Sequence, residues 1–223
     1  MVACLMPFVR VALLYYQPNW QLDAHLWVAV SMVLLDTCLI LTVLVFAAEK
    51  GRGRSPWRAL GLSSRRATPA IGLGVRGYLS VFPWLFLLLF LIAEAARAFG
   101  WEPPIEPIHE LVFEEQRPMV LLLTSVLACA VGPIAEEFFF RGVVYTALRQ
   151  RLSRLVAILS SGAIFALIHA NPVGFLPIMV LGCLLAYLYE RTGSLASPLA
   201  IHIVHNTFLM ALAMAFRRLM VLT

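Results

Sequence analysis

The chain has 223 residues, of which 61% are apolar and only 13% are charged, and its mean hydropathy is +0.88. Soluble domains usually carry about 45–50% apolar and about 25% charged residues, so this composition excludes an ordinary water-soluble protein. A membrane span needs about 20 apolar residues, so several spans leave no room for a sizeable soluble domain. Any chemistry must therefore be built from residues inside the spans.

The net charge of +5 does not indicate a nucleic-acid partner. Nearly all the cations are arginines, and many flank apolar runs, where basic residues set membrane topology. The four cysteines are scattered and form no CxxC pair, so neither a disulfide framework nor a thiolate zinc site is expected. We expect the lipid bilayer, and no nucleic acid, as a partner.

Apolar runs predict an all-α fold: a polytopic membrane bundle of about six transmembrane helices, with a range of six to eight. The segment 1–16 is apolar but short, and it is expected to lie at the interface or to insert partly. Pro83 and Gly132-Pro133 predict kinks in the second and third helices, and Asn171-Pro172 ends the fourth. The six predicted spans are about 26–48, 75–93, 119–148, 155–170, 173–189 and 195–216.

Charges between the spans predict the topology. The basic linker 50–66 and the arginine-rich turn 149–154 fall on one side, which we expect to be cytoplasmic in a bacterial plasma membrane. Residues 94–117 are expected to form an acidic polar loop on the outer side, where Arg217 and Arg218 also fall, against the trend. Residues 1–118 would form the N-terminal membrane segment and 119–223 the catalytic core, together one integral unit.

Ionisable groups near the bilayer centre are costly, so they are functional candidates by default. Glu137 and Arg141 are four residues apart on one helix face, in the favourable order for an ion pair, whereas Glu136 points elsewhere. Glu136 and His169 each lie roughly sixteen residues from the turn near 152, about 24 Å along their helices, which puts them level. The candidate site residues on three helices are Glu136, Glu137, Arg141, His169, His202 and Asn206.

These residue types suit hydrolysis of a peptide bond by activated water. Glu136 is a candidate general base, and Asn206 with a histidine could donate hydrogen bonds to an oxyanion. Alternatively, Glu136, His169 and His202 could bind a divalent ion such as Zn²⁺ and leave a position for water. Other hydrolase designs are poorly supported, because the chain has only two aspartates and lacks both HExxH and G-x-S-x-G.

Three ordered motifs resemble those of a known family. Glu136-Glu137 with Arg141, Phe165 with His169, and His202 with Asn206 match EExxxR, FxxxH and HxxxN of the CPBP intramembrane proteases. This group is also called the Abi or type II CAAX prenyl endopeptidase group, and it includes CAAX-processing and bacteriocin-processing enzymes. The resemblance covers about residues 119–216, less than half of the chain.

The resemblance implies intramembrane proteolysis of a peptide or protein substrate, either prenylated or membrane-embedded. It assigns water activation to Glu136, supporting roles to Glu137 and Arg141, and catalytic or oxyanion-binding roles to His169, His202 and Asn206. Family members are often labelled metalloproteases, but a metal-free glutamate mechanism is also argued for them, so Zn²⁺ and a metal-free site both stay open.

Structural readings of the same residues also stay open. Glu137 with Arg141 is often a structural ion pair, and His202 with Asn206 could be interhelical hydrogen-bonding groups. Asp36 could pair with an arginine or mark a water-filled cavity, and His205 lies outside the family pattern. A non-catalytic scaffold or immunity protein, or a small proton-coupled transporter, is the alternative to a protease.

Overall fold

The computed structural model describes residues 23–50, 64–101 and 107–222, and this part of the chain is almost entirely helical, with no strand. The predictions for segment 1–16 and for most of the basic linker 50–66 lie outside the described residues. The helices of the described part are α1 Ala24–Lys50, α2 Ser64–Ala98, α3 Pro107–Glu114, α4 Pro118–Arg149, α5 Arg154–His169, α6 Phe175–Thr192 and α7 Ala196–Leu222.

Five of these helices, α1, α2, α4, α6 and α7, are long and apolar enough to cross a membrane. The predicted fourth span is α5, which is apolar but has only 16 residues. With a rise of 1.5 Å per residue, α5 measures about 24 Å, slightly less than the roughly 30 Å hydrocarbon core. Each predicted apolar run is therefore a helix. The all-α polytopic bundle is confirmed, and the protein is a multi-pass integral membrane protein.

The prediction of a polar loop over 94–117 is wrong in part. Helix α2 continues to Ala98, and the acidic segment itself contains the short helix α3. Leu111 and Val112 of α3 are almost fully buried, and Leu111 packs with Val28 of α1 and Leu127 of α4. Burial of these apolar side chains stabilises a helix that is too short to persist alone. The acidic composition of the segment hid this apolar face.

Apolar clusters join the helices that carry the three motifs. One cluster links α4, α5 and α6 through Tyr145, Ile158 and Ala186. Another links α2, α6 and α7 through the buried residues Tyr78, Leu85, Leu181, Leu185, Leu188 and Ile201. On the outside of α2, large apolar side chains such as Trp84 and Phe90 are exposed, as expected for a surface that faces lipid.

Glycines allow α5 and α6 to approach until their backbones touch. A Cβ atom placed on Gly162 would lie 2.9 Å from the backbone oxygen of Met179, and one on Gly182 would lie 3.1 Å from the Cα of Gly162. Small residues at such contacts are typical of packed membrane helices. This close approach fixes the position of the Gly182 carbonyl, which faces the site.

One end of the bundle carries the charged residues around the start of α1, the end of α3, the start of α4 and the end of α7; we call it the acidic face. Arg217, whose place on this side ran against the basic-residue trend, donates hydrogen bonds to the carbonyls of Val112 (2.9 Å) and Glu115 (2.6 Å). A cation at a helix C-terminus is favourable because the last carbonyls are unpaired. The hydrogen bonds of Arg217 to these two carbonyls thus explain its position at this end of the bundle. The predicted orientation relative to the cytoplasm stays a prediction.

Candidate active site

The site is built on a short α-helical stretch, Gly132–Glu137, inside α4. The π-helical stretches Leu127–Val131 and Phe138–Tyr145 flank it. Gly132 donates its N–H to the carbonyl of Leu127, five residues earlier, and Pro133 has no N–H to donate. The predicted distortion at Gly132-Pro133 therefore takes the form of a π-helical segment. Such segments are frequent at functional sites.

Glu137 and Arg141 form the predicted ion pair, and both side chains are fully buried. The Nη1 of Arg141 donates to Oε1 of Glu137 at 2.9 Å, and its Nη2 donates to the carbonyl of Gly182 at 3.0 Å. The guanidinium also lies 5.0 Å from the ring centroid of Phe165. Arg141 thus joins α4 to α5 and α6 and compensates the charge of Glu137.

His202 of α7 also contacts Glu137. Its Nδ1 lies 2.9 Å from the carboxylate Oε1, and since a carboxylate only accepts, we assign the proton to Nδ1. The other ring nitrogen, Nε2, lies 3.9 Å from Oε2 of Glu136. Glu137 therefore orients His202 so that Nε2 faces Glu136.

His169, at the end of α5, is also oriented through its Nδ1 so that its Nε2 faces Glu136. Its Nδ1 donates to the carbonyl of Phe165 at 2.7 Å, and its Nε2 lies 3.9 Å from Oε2 of Glu136. The Phe165 ring packs between the two imidazoles, 4.5 Å from that of His169 and 5.7 Å from that of His202. The level placement predicted for Glu136 and His169 is confirmed.

Glu136, His169 and His202 fit a divalent ion such as Zn²⁺. Metal-binding histidines usually donate their second ring N–H to a carboxylate or a backbone carbonyl, as both do here. Metal–ligand bonds of about 2.0–2.2 Å hold ligand atoms roughly 3–4 Å apart, which the 3.9 Å separations approach. The residue types and the orientation of both imidazoles thus suit a His₂Glu ligand set. The three ligand atoms do not all lie within 4.8 Å of one another, so a bound ion would draw the two histidines closer together.

A second group of ligand-type residues lies on the acidic face. Single ligand atoms of His25, Glu110 and Glu114 lie within 4.8 Å of one another, but both glutamates are exposed. Exposed acidic side chains often cluster without an ion, so we assign no metal to this group.

Asn206 is the predicted site residue whose described contact lies outside the glutamate–histidine cluster. Its Nδ2 donates to the carbonyl of Ala128 at 2.9 Å. That carbonyl lacks its usual helical partner because Gly132 donates to Leu127 instead and Pro133 cannot donate. The amide group has a second N–H, so its predicted role at an oxyanion stays a prediction.

Three features escaped the sequence analysis or were left open by it. The Gly182 carbonyl that binds Arg141 has no sequence signal beyond a glycine in an apolar run. His205 is interhelical, with Nδ1 2.8 Å from the hydroxyl of Tyr78 in α2. Asp36 of α1 is buried beside Gly132 and forms no ion pair among the described residues. Asp36 and His205 both had a warning sign, as ionisable residues in apolar runs.

The fold and the site together define a multi-pass helical membrane protein with a buried glutamate–histidine centre. Comparison with known proteins finds one family match: residues 118–208 match the family model described as "Type II CAAX prenyl endopeptidase Rce1-like". The resemblance predicted from the three motifs is confirmed as a similarity of this part of the chain to that family.

Two bacterial proteins are similar to part of the chain. One is "Putative membrane peptidase YdiL" of Bacillus subtilis, 34% identical over 91 residues, which are 41% of this chain and 36% of the relative. The other is "Membrane-embedded CAAX protease MroQ" of Staphylococcus aureus, 30% identical over 105 residues, 44% of this chain and 40% of the relative. The similarity thus spans less than half the length of either relative. No solved structure matches the chain significantly.

Proposed function

We propose that the protein is an intramembrane endopeptidase in which Glu136 activates water to hydrolyse a peptide bond. The observation that best supports this proposal is that Nε2 of His169 and Nε2 of His202 both lie 3.9 Å from Oε2 of Glu136. Glu137, by contrast, is held by Arg141 and His202. Of the two adjacent carboxylates, Glu136 is therefore the one available to take a proton.

The reaction needs one proton to move twice. Glu136 accepts a proton from water while the water oxygen attacks the carbonyl carbon, and the same proton passes to the amine nitrogen as the C–N bond breaks. The free N–H of Asn206 would donate to the oxyanion, and His169 and His202 would hold the water through Nε2. Glu136, His169 and His202 would hold a Zn²⁺ ion, which would supply Lewis-acid polarisation and make water more acidic.

The proposed substrate is a peptide that reaches the site from the bilayer. The site lies within helices that cross the membrane, so a prenylated C-terminus or a membrane-embedded segment could enter from the lipid. CAAX processing appears in the description of the matched family and in the name of one relative. A farnesylated peptide is therefore the first substrate to test, and transmembrane peptides are the second.

Glu136→Gln should abolish cleavage by the purified protein in detergent. Loss of a general base costs about 10²–10⁴-fold in rate, and His169→Ala should cause a comparable loss. The probe is a peptide with a farnesyl-cysteine four residues from its C-terminus and a fluorophore–quencher pair across the bond after that cysteine. Glu94→Gln is the matched control because Glu94 lies in an exposed pair with Arg97.

Full cleavage by Glu136→Gln would contradict the protease proposal. So would the absence of cleavage of farnesylated and transmembrane peptides by the wild type. A biological effect that persists in Glu136→Gln would instead favour a non-catalytic membrane protein.

We extend the proposal to a bound Zn²⁺ ion, because the residue types and the orientation of both imidazoles suit one. The purified protein should contain about one ion per chain, and a strong chelator should remove both the ion and the activity. His169→Ala and His202→Ala should lose the ion, while Tyr78→Phe, which alters only the contact with His205, should retain it. Full activity in chelator, with no metal in elemental analysis, would favour the metal-free glutamate mechanism.

A further inference from the structure

Asp36 of α1 is a buried carboxyl group that the mechanism above does not use. It is 5% exposed, and its Oδ2 has no hydrogen-bond partner among the described residues. Burying a carboxyl group without a partner is costly, and it is more costly between membrane helices than in a wet interior. A residue with a packing role alone would be apolar here, so the carboxyl group requires an explanation.

The position of Gly132 places Asp36 beside the active site. A Cβ atom on Gly132 would lie 3.8 Å from Oδ1 and 3.9 Å from Oδ2 of Asp36, which is ordinary van der Waals contact. Gly132 and Glu136 are four residues apart in the α-helical stretch Gly132–Glu137, so they share one face of α4, a single turn apart.

The environment of Glu136 is thus made by three helices besides its own. His169 comes from α5 and His202 from α7, and both present nitrogen atoms to Oε2. From α1, Asp36 adds a carboxyl group whose Oδ2 has no hydrogen-bond partner among the described residues, as is also true of Oε2 of Glu137. Since α1 precedes residues 118–208, this contribution lies outside the segment that matches the family model.

We propose that Asp36 is a further catalytic residue, the second acceptor for the water that Glu136 activates. This inference rests on the proposed hydrolytic function. Water has two O–H groups: Glu136 removes the proton of one, and the carboxylate of Asp36 accepts a hydrogen bond from the other. With both O–H groups directed, an oxygen lone pair points at the carbonyl carbon. Only one proton moves, from water to Glu136 and then to the amine, and Asp36 is unchanged at the end.

The test compares Asp36→Asn with two variants of Ser31 in the full-length protein in detergent, with the farnesylated peptide described above as probe. Ser31 lies in the same helix, is 2% exposed, and has an Oγ that also lacks a hydrogen-bond partner among the described residues. Ser31→Ala is the neutral control, and Ser31→Leu is the control for disturbed packing of α1.

Asp36→Asn should lower kcat by about 10- to 100-fold, because the neutral amide replaces one of the two charged acceptor oxygens by an NH2 donor. The attacking water is then less well directed, and a misplacement of about 1 Å loses rate on that scale. KM should stay within about twofold of the wild-type value, since the proposed contact is to water and not to the peptide. The melting temperature should stay close to that of the wild type, because asparagine has nearly the same shape. Ser31→Ala should match the wild type in all three quantities.

The outcomes separate this inference from the proposed function. Wild-type kcat in Asp36→Asn, together with loss of cleavage in Glu136→Gln, would overturn the role of Asp36 and leave the protease intact. Wild-type cleavage in both variants would overturn the proposed function itself. If Asp36→Asn is less stable, and Ser31→Leu with the same melting temperature loses kcat equally, Asp36 is structural and the inference is wrong.

Discussion

Glu136 and Glu137 are adjacent in sequence but have different surroundings. Glu137 is 1% exposed and accepts from Arg141 and His202, whereas Glu136 is 14% exposed and faces the two Nε2 atoms. Adjacent residues on a helix point about 100° apart, so a double glutamate gives one side chain to packing and one to the cavity. Environment thus separates two identical carboxylates into one held by an ion pair and one that faces two histidines, the kind of difference by which enzymes give two carboxylates different roles.

Arg141→Met should be strongly destabilising. Removing one partner of a buried pair costs about 3–5 kcal/mol, because Glu137 would keep its buried charge with only His202 beside it. Denaturant unfolding in mixed micelles measures the change in the free energy of unfolding. Arg149→Met is the matched control, since its pair with Glu190 is partly exposed and should contribute about 0–1 kcal/mol. Equal effects of the two substitutions would contradict the assignment.

At the scale of the helix, the apolar runs predicted each membrane helix, and the four-residue spacing predicted the pair of Glu137 with Arg141. The sequence could not show which carbonyl the Gly132-Pro133 pair leaves without a helical donor. That depends on whether Gly132 donates to the residue four positions earlier, as in an α-helix, or five positions earlier, as in a π-helix. It also could not show that Asn206, 78 residues further on, binds that carbonyl of Ala128. Contacts between distant helices depend on how those helices pack, and periodicity within one helix does not encode that packing.

Gly162→Ala and Gly72→Ala should have opposite effects on stability. A Cβ atom on Gly162 meets backbone atoms of α6, so α5 and α6 must separate, at a cost of about 1–3 kcal/mol. This separation should also move the Gly182 carbonyl away from Arg141 and lower activity. Nothing lies within 4 Å of a Cβ atom on Gly72, where alanine should stabilise α2 by about 0.5–1 kcal/mol. A Gly162→Ala protein as stable as the wild type would show that the helices are not in backbone contact.

For the whole molecule, a charged network on the acidic face ties four helices together. Arg117, just before α4, binds Asp23 beside α1 (2.6 Å) and Glu115 after α3 (2.6 Å). Glu115 also contacts His25 of α1, and its carbonyl accepts from Arg217 of α7. The helices that supply Asp36, Glu136 and His202 are thus joined at this face. Breaking contacts of this network should therefore lower the stability of the whole bundle.

The pKa of Glu115 gives this network a predictable pH dependence. Its hydrogen bonds with the Arg117 guanidinium lower the pKa of the carboxyl group from 4.5 to about 2. A lowered pKa means that folding favours the ionised form, so the stabilisation is complete above about pH 4.5 and is lost as the pH falls towards 2. The melting temperature in non-ionic detergent should therefore drop across this window. Glu115→Gln should melt lower at pH 6 and show a shallower drop, whereas Glu94→Gln should follow the wild type. Parallel curves for Glu115→Gln and the wild type would mean that Glu115 does not couple protonation to folding.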